Sequence, residues 1–409
     1  MTSTHSSHTP VMSALKITLI GALLVSVGPI SMSLYTPAMP EIVLAFGTTE
    51  ALVKMTLTLY FAGFAFTQLI CGPLSDGLGR RPVTIAFMSI YLLACIIAVF
   101  APNIEVLLGA RFLQGVGSAV GVAISRAMVR DSFSGERSFR IMNLMGMLLA
   151  VAPAISPAIG GLTLEFSHWR VLFVLMMLMG VTTVWVSVFY LRETTTPDFS
   201  RLKPLALLAS YRTLLSSPHF MLTSLVVAGS VGAIYTLATV LPFILMDVVG
   251  LSPMAFGVGM VLQAGTYILG AVAVQALLRR VNAHRLVPVG LMFIGVACGM
   301  LLLLMGFWEA TFLKVMIPIA MYSFGVAFVM PAMLTASMTP FPHIAGAASA
   351  MTGFLQMGAG LLGSALAALF TDPVLALMIM IPSMATTAIV SWLLWNRLPP
   401  VTAKSAMPK

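Results

Sequence analysis

GPLSDGLGRRP, residues 72 to 82, separates two long apolar segments at 50 to 71 and 82 to 101. Charged residues make up only 8% of the chain, so Asp76, Arg80 and Arg81 together mark a place where it leaves an apolar environment. Gly72, Pro73, Gly77 and Gly79 permit tight turns there, and the three charges suit pairing with neighbouring helix ends. The apolar runs on either side, about 20 residues each, have the length of a helix crossing a bilayer. With 59% hydrophobic residues and a mean hydropathy of +1.04, the chain has no room for a water-soluble globular domain. It reads as a polytopic helical membrane protein.

Working outward, apolar runs and their breaks place six helices at 15 to 37, 50 to 71, 82 to 101, 104 to 128, 140 to 163 and 169 to 190. A second six follow at 219 to 246, 254 to 278, 286 to 306, 311 to 333, 345 to 369 and 374 to 396. A polar tail, MTSTHSSHTP, precedes a first run that continues past residue 30 without a small-residue cleavage site, so the first helix is expected to be retained. Twelve spans put both termini on one side. The basic residues gather there: Arg80, Arg81, Arg126, Arg130, Arg137, Arg140, Arg192, Arg201, Lys203, Arg212, Arg279, Arg280, Arg285 and the terminal Lys16, Arg397, Lys404 and Lys409. Only Lys54, Arg111, Arg170 and Lys314 fall elsewhere. The positive-inside rule makes that side cytoplasmic, and the net charge of +9 reflects orientation and not a nucleic-acid patch. An ordinary basic loop would account for the arginines of 72 to 82 but not for their spacing with Gly72, Asp76 and Gly79. The longest polar connector, at 191 to 218, divides the chain into an N-terminal six-helix bundle, 1 to 190, and a C-terminal one, 219 to 409. Cys71, Cys95 and Cys298 show no CxxC or His-rich pattern, so neither a disulfide framework nor a metal site is expected.

Polar residues inside apolar runs are the candidates for chemistry. Arg111 and Gln114 share one face of the fourth helix beside a strip of Gly115, Gly117 and Gly121. An intramembrane arginine is a functional candidate by default; the alternative is a side chain that snorkels to the nearby surface. In AVAPAISPAIGG, 150 to 161, Pro153, Pro157, Gly160 and Gly161 remove backbone donors and Cβ bulk, which a membrane tolerates where neighbouring helices approach closely. Tyr35, Tyr60, Gln68, Gln114, Tyr235, Gln263 and Gln356 carry polar ends that need partners in a dry bundle, whether a substrate or another helix. Thirty-one methionines and twenty-four phenylalanines offer adaptable lining for an apolar cavity, although most must face lipid or other helices.

The spacing Gly72-x-x-x-Asp76-x-x-Gly79-Arg80-Arg81 resembles the signature between helices two and three of the major facilitator superfamily, a group of secondary transporters. R-x-x-Q-G at Arg111 is similar to that superfamily's helix-four motif, whose arginine is implicated in proton coupling. The 150 to 161 stretch resembles the helix-five motif of its drug and proton antiporters, with Ser156 where glycine is usual. SMSLYTPAMP, 31 to 40, resembles the D-x-Y-x-P-x-x-P end of helix one in the bicyclomycin and chloramphenicol resistance group, matching Tyr35, Pro37 and Pro40. PFPHIAGAASA, 340 to 350, also looks like that group. The group's helix-one aspartate, its expected proton carrier, is replaced here by Ser33 or Met32. Glu41 is the nearest substitute, about 12 Å from Ser33 along a continued helix; a solvated carboxylate is the competing reading. RRVNAHR at 279 to 285 occupies the equivalent place in the second half but lacks the aspartate.

The resemblance implies an all-α major facilitator fold of twelve transmembrane helices in two six-helix bundles, with substrate bound between them near the midplane. It further implies a monomeric exporter in a bacterial inner membrane, surrounded by lipid, without nucleic-acid partner or bound cofactor and driven by proton entry. Its cargo would be neutral, amphipathic and antibiotic-like, such as a phenicol or a bicyclomycin-like drug. Asp131 is expected to pair with Arg80 or Arg81 and hold the inward-closed state, and Asp76 to stabilise a closed conformation. An importer or facilitator of a small metabolite remains open, because direction is not written in these motifs. An enzyme finds no support: HExxH, GxSxG and paired intramembrane carboxylates are all missing from the sequence.

Overall fold

The computed structural model describes residues 12–133, 135–199 and 204–399. Arg201, Lys203, Lys404, Lys409 and the polar N-terminal tail lie outside the described residues. The described residues are mostly helical: α1 (Ala14–Ser33), α2 (Met39–Phe46), α3 (Glu50–Leu78), α4 (Arg80–Val99), α5 (Ile104–Ser132), α6 (Gly135–Phe166) and α7 (Arg170–Phe189) precede α8 (Pro204–Leu215). Then come α9 (Pro218–Pro242), α10 (Pro253–Leu277), α11 (Ala283–Phe307), α12 (Phe312–Met338), α13 (Ala345–Ala367) and α14 (Pro373–Trp395). Eleven of the described segments are long and apolar enough to cross a membrane, α1 and α2 counting as one; α6 adds an apolar stretch at Val151–Phe166.

Helix starts follow ordinary capping chemistry. Thr49, Asn103, Ser217, Ser252 and Asp372 each accept a backbone N–H of the first turn through a side-chain oxygen. Interior prolines do not end helices here. The first span was expected to stop near 37, yet after a short 3₁₀ turn at Thr36–Ala38 the chain resumes as α2 and reaches Phe46. Pro37 and Pro40 fall at first-turn positions, where a missing N–H leaves no bond unmade.

The stretch 72 to 82 is also not the loop expected of it. α3 runs through Gly72, Pro73 and Gly77, and the only break is Gly79, whose φ of +103° reverses the chain directly into α4. Pro73 cannot donate to the carbonyl of Leu69, one turn back. The Tyr211 hydroxyl of α8 donates to it instead, at 2.5 Å. Burial pushes the Tyr211 phenol up to about 12, so it remains a donor at any physiological pH.

Two large apolar cores result. One joins α1 to α7, from Met12 to Leu191 with Phe243; the other joins α9 to α14, from Val226 to Ala388. A third cluster bridges them, setting Met32, Tyr60, Phe61 and Phe64 against Tyr235 and Met357. Close helix approach depends on glycine: a Cβ at Gly115 would meet the Tyr60 carbonyl oxygen, and one at Gly63 that of Phe112. α8 lies across α3, α9 and α13 through Tyr211 and Leu214.

Candidate functional site

A cavity of about 290 Å³ lies between the two cores. It runs from Tyr60 and Tyr235 to Gly72, Asp76, Arg130 and Gly346, a depth of about 24 Å measured along α3. At the latter end Arg130 is exposed and Asp76 partly exposed. The opposite end is shut. There α6 packs on α10 so closely that a Cβ at Gly161 would meet the Pro253 carbonyl and one at Gly257 the Pro157 carbonyl, and a Cβ at Gly160 would meet that of Leu34. Gly161 of the helix-five motif thus holds one half of the molecule against the other, and Gly160 packs α6 on the end of α1.

Lys54, counted in the sequence only as a base away from the basic loops, lies at this shut end. It is 1% exposed, pairs with Glu50 at 2.8 Å and sits 4.7 Å over the ring of Phe243, a residue of the second half of the chain that packs into the first core. Asp247, on the π-helical turn Phe243–Val248 that ends α9, is within electrostatic reach of Glu50 and Lys54. Glu50 and Lys54 at i and i+4 were visible as a helical pair; their juxtaposition with Asp247 was not.

Arg111 does not snorkel: it is wholly buried, so the surface alternative falls away. Its guanidinium lies 4.5 Å from the Tyr35 ring and 4.6 Å from the Tyr60 ring, and Nη1 donates to Ser31 O (3.2 Å) and Gln114 Oε1 (2.8 Å). Nε and Nη2 have no partner. The tyrosines are fixed in turn: Tyr35 shares a hydrogen bond with Thr56 (2.7 Å), and Tyr60 donates to Gly28 O and meets Ser118 Oγ, both at 2.9 Å. Gln114 donates to Cys95 Sγ at 3.1 Å. Tyr60 separates this cation from the cavity, which it also lines.

The remaining candidates divide. Tyr60, Gln68, Tyr235 and Gln356 line the cavity, and Gln68 Oε1 and Gln356 Nε2 are buried without partners. Tyr35, Arg111 and Gln114 stand behind the wall. Gln263 is buried on α10 away from the lining. Glu41 turns from the cavity and accepts the Trp169 N–H at 3.2 Å, at the start of α7. Pro153 lines the cavity, whereas Pro157 belongs to the α6–α10 contact.

In the Gly79-Arg80-Arg81 turn, Arg80 is nearly buried and pairs with Asp76 and, through Nε at 3.0 Å, with Asp131; its Nη1 also donates to Ser75 Oγ at 2.6 Å. The Asp131 pairing is the one expected. The bond is made in a structure whose cavity extends to Asp76 and Arg130, and it joins the start of α4 to the end of α5. Asp76 likewise bonds within its own half. Arg81 donates through Nη2 to Val188 O at 2.8 Å. Glu193 escaped the sequence reading altogether. Its carboxylate accepts the backbone N–H of Arg80 (2.8 Å) and Arg81 (3.0 Å), capping α4, whose preceding residue Gly79 has no side chain to do so. An acid following an apolar run gives no signal of a partner so far back in the chain.

A family model for the Major Facilitator Superfamily matches residues 21–364. The chain belongs to the major facilitator superfamily. It is a multi-pass membrane transporter and not an enzyme. Among its relatives, "Multidrug resistance protein D" of Escherichia coli (strain K12) is 31% identical over 84% of this chain and 86% of that protein. "Uncharacterized MFS-type transporter YdgK" of Bacillus subtilis (strain 168) is 31% identical over 85% and 86%, and "Chloramphenicol resistance protein" of Pseudomonas aeruginosa 28% identical over 84% and 80%. The fold is shared with a solved bacterial homologue of the human lysosomal transporter Spinster, inward-facing and unoccupied, at a TM-score of 0.69 and 14% identity over 93% of this chain and 96% of that one. The paired cores of this superfamily member, with a cavity between them open at one end, are the expected fold.

Proposed function

We propose that this transporter exports small amphipathic, antibiotic-like molecules of the phenicol or bicyclomycin type across a bacterial inner membrane, by alternating access and in exchange for protons. The observation that carries the reading is the cavity between the cores, walled by Met32, Phe64, Met330 and Met357 and closed at the α6–α10 end. Thioethers and aromatic rings repack around varied apolar bodies, which suits a broad substrate range. Relatives named for multidrug and chloramphenicol resistance support the cargo class.

In this reading residues 1 to 190 and 219 to 409 rock as two bundles, with 191 to 218 as their linker and the Arg80 end in the cytoplasm with both termini. Single cysteines at 72 to 82 and 191 to 218 then resist an impermeant thiol reagent outside intact cells; ready labelling at both overturns the orientation. The chain acts as a monomer in lipid, with no cofactor beyond the proton gradient. Opening the shut end must separate Lys54 from Phe243 and Asp247, so Glu50 and Asp247 are the acids whose protonation couples to that motion. Glu41, held at the Trp169 N–H, is placed to steady α7.

Transport into inverted vesicles, assayed against a drug panel with and without a pH gradient, tests the proposal. Accumulation that depends on acid inside the vesicle is expected. Uptake of a metabolite in the opposite sense, with no drug moved, would replace export by import.

A further inference from the structure

We propose that the cavity takes an amphiphile carrying an anionic group, with Arg126 as the residue that holds the anion and Arg130 one turn beyond it. This rests on the transport reading above and names the substrate class of the same cavity. The charged side chains lining it are Asp76, Arg80, Arg126 and Arg130. Asp76 is committed to Arg80, and so is Asp131, which lies behind Arg80 and also accepts from Thr194 Oγ1 at 3.2 Å. Both carboxylates of the group are therefore turned onto one arginine. Among the described residues Arg126 makes no ion pair or hydrogen bond, and its electrostatic neighbour is a second cation, Arg130. A cation on a membrane-spanning helix is costly without a counter-charge, and here the open position beside it is the cavity.

The depth of the anion follows from helix register. α3 and α5 run in the same direction, with Gly63 against Phe112 and Val116 and Arg80 against Asp131, so Arg126 stands between the levels of Gln68 and Asp76. Farther in, Gln68 Oε1 and Gln356 Nε2 are a buried acceptor and a buried donor from opposite halves, both unpaired. A ligand with its charge at Arg126 and its body pointing inward meets these amides next, then the rings of Phe64 and Tyr235. A neutral phenicol satisfies the amides and leaves Arg126 unpaired; an acidic amphiphile satisfies all three. The preferred cargo is thus acidic, in contrast to the neutral drug expected from the sequence.

Chloramphenicol and its hemisuccinate, which adds a carboxylate to the same aryl body, are the probes. Their binding to the purified full-length chain is measured by equilibrium dialysis at neutral pH and low ionic strength. The hemisuccinate is expected to bind about tenfold tighter, the yield of one charge-assisted hydrogen bond in a partly wet site, with the preference shrinking as salt rises. Arg126→Gln should bind both compounds alike, and Arg126→Lys should keep part of the preference. Equal binding of the two probes by the wild-type chain, or a preference that survives Arg126→Gln, would overturn the inference and leave drug export standing. Binding of neither probe by the wild-type chain would overturn the drug-export reading and the inference together.

Discussion

Replacing Arg111 with methionine separates what that charge does for folding from what it does for transport. The guanidinium makes two hydrogen bonds, to Ser31 O and Gln114 Oε1, and lies between the rings of Tyr35 and Tyr60. Hydrogen bonds to a charged group contribute about 1.5–3 kcal/mol each, and desolvated ring contacts about 2 kcal/mol each. Against them stand several kcal/mol for taking the cation out of water and about 1–3 kcal/mol for each buried donor group left unpaired, the Nε–H and the Nη2 amino group of Arg111. The opposing sums overlap, so the net contribution to stability lies within about 3 kcal/mol of zero. Arg111→Met fills nearly the same volume without charge and should unfold within a few degrees of wild type in detergent. Gradient-driven transport in proteoliposomes should nonetheless fall to the background of empty vesicles. Arg111→Lys should recover little, because a compact ammonium cannot lie flat between two rings while reaching both acceptors. A methionine variant that transports at the wild-type rate refutes the functional role, and one that cannot be purified folded refutes the energy balance.

Three further outcomes follow from contacts described above. Asp247→Asn should keep exchange of bound drug but lose accumulation driven by a pH gradient; gradient-driven transport at the wild-type rate would remove Asp247 from coupling. Tyr211→Phe leaves the Leu69 carbonyl without a donor and should lower stability by about 1–3 kcal/mol, read from thermal unfolding. In the wild type the raised phenol keeps this contact whole below its ordinary value of 10.0, and it is lost as pH rises towards about 12, so the difference between the two proteins should be flat from pH 6 to 9. Gly161→Val places a side chain against the Pro253 backbone, which cannot move aside; it should disfavour the state shut at the α6–α10 end, seen as a longer spin-label distance between those helices, and an unchanged distance would deny that this contact closes the cavity.

Hydropathy was enough to place the spans, because a bilayer leaves helices as the only way to satisfy the backbone of an apolar run. The turn Gly79-Arg80-Arg81, the buried Arg111 with Gln114, and the glycines of α6 were legible for a related reason: charge and missing Cβ are rare in such a chain and stand out wherever they occur. Proline misled at Pro37, Pro40 and Pro73, since a lone sequence shows the donor that is absent but not the first-turn position, or the Tyr211 hydroxyl, that makes its absence harmless. The pairing of Glu193 with α4, the approach of Lys54 to Phe243 and Asp247, and the lack of a bond to Arg126 among the described residues were beyond reach of the sequence. Each is a relation between segments more than a hundred residues apart, or the lack of one, and spacing along a helix carries no information about which side chains another helix brings to the same depth.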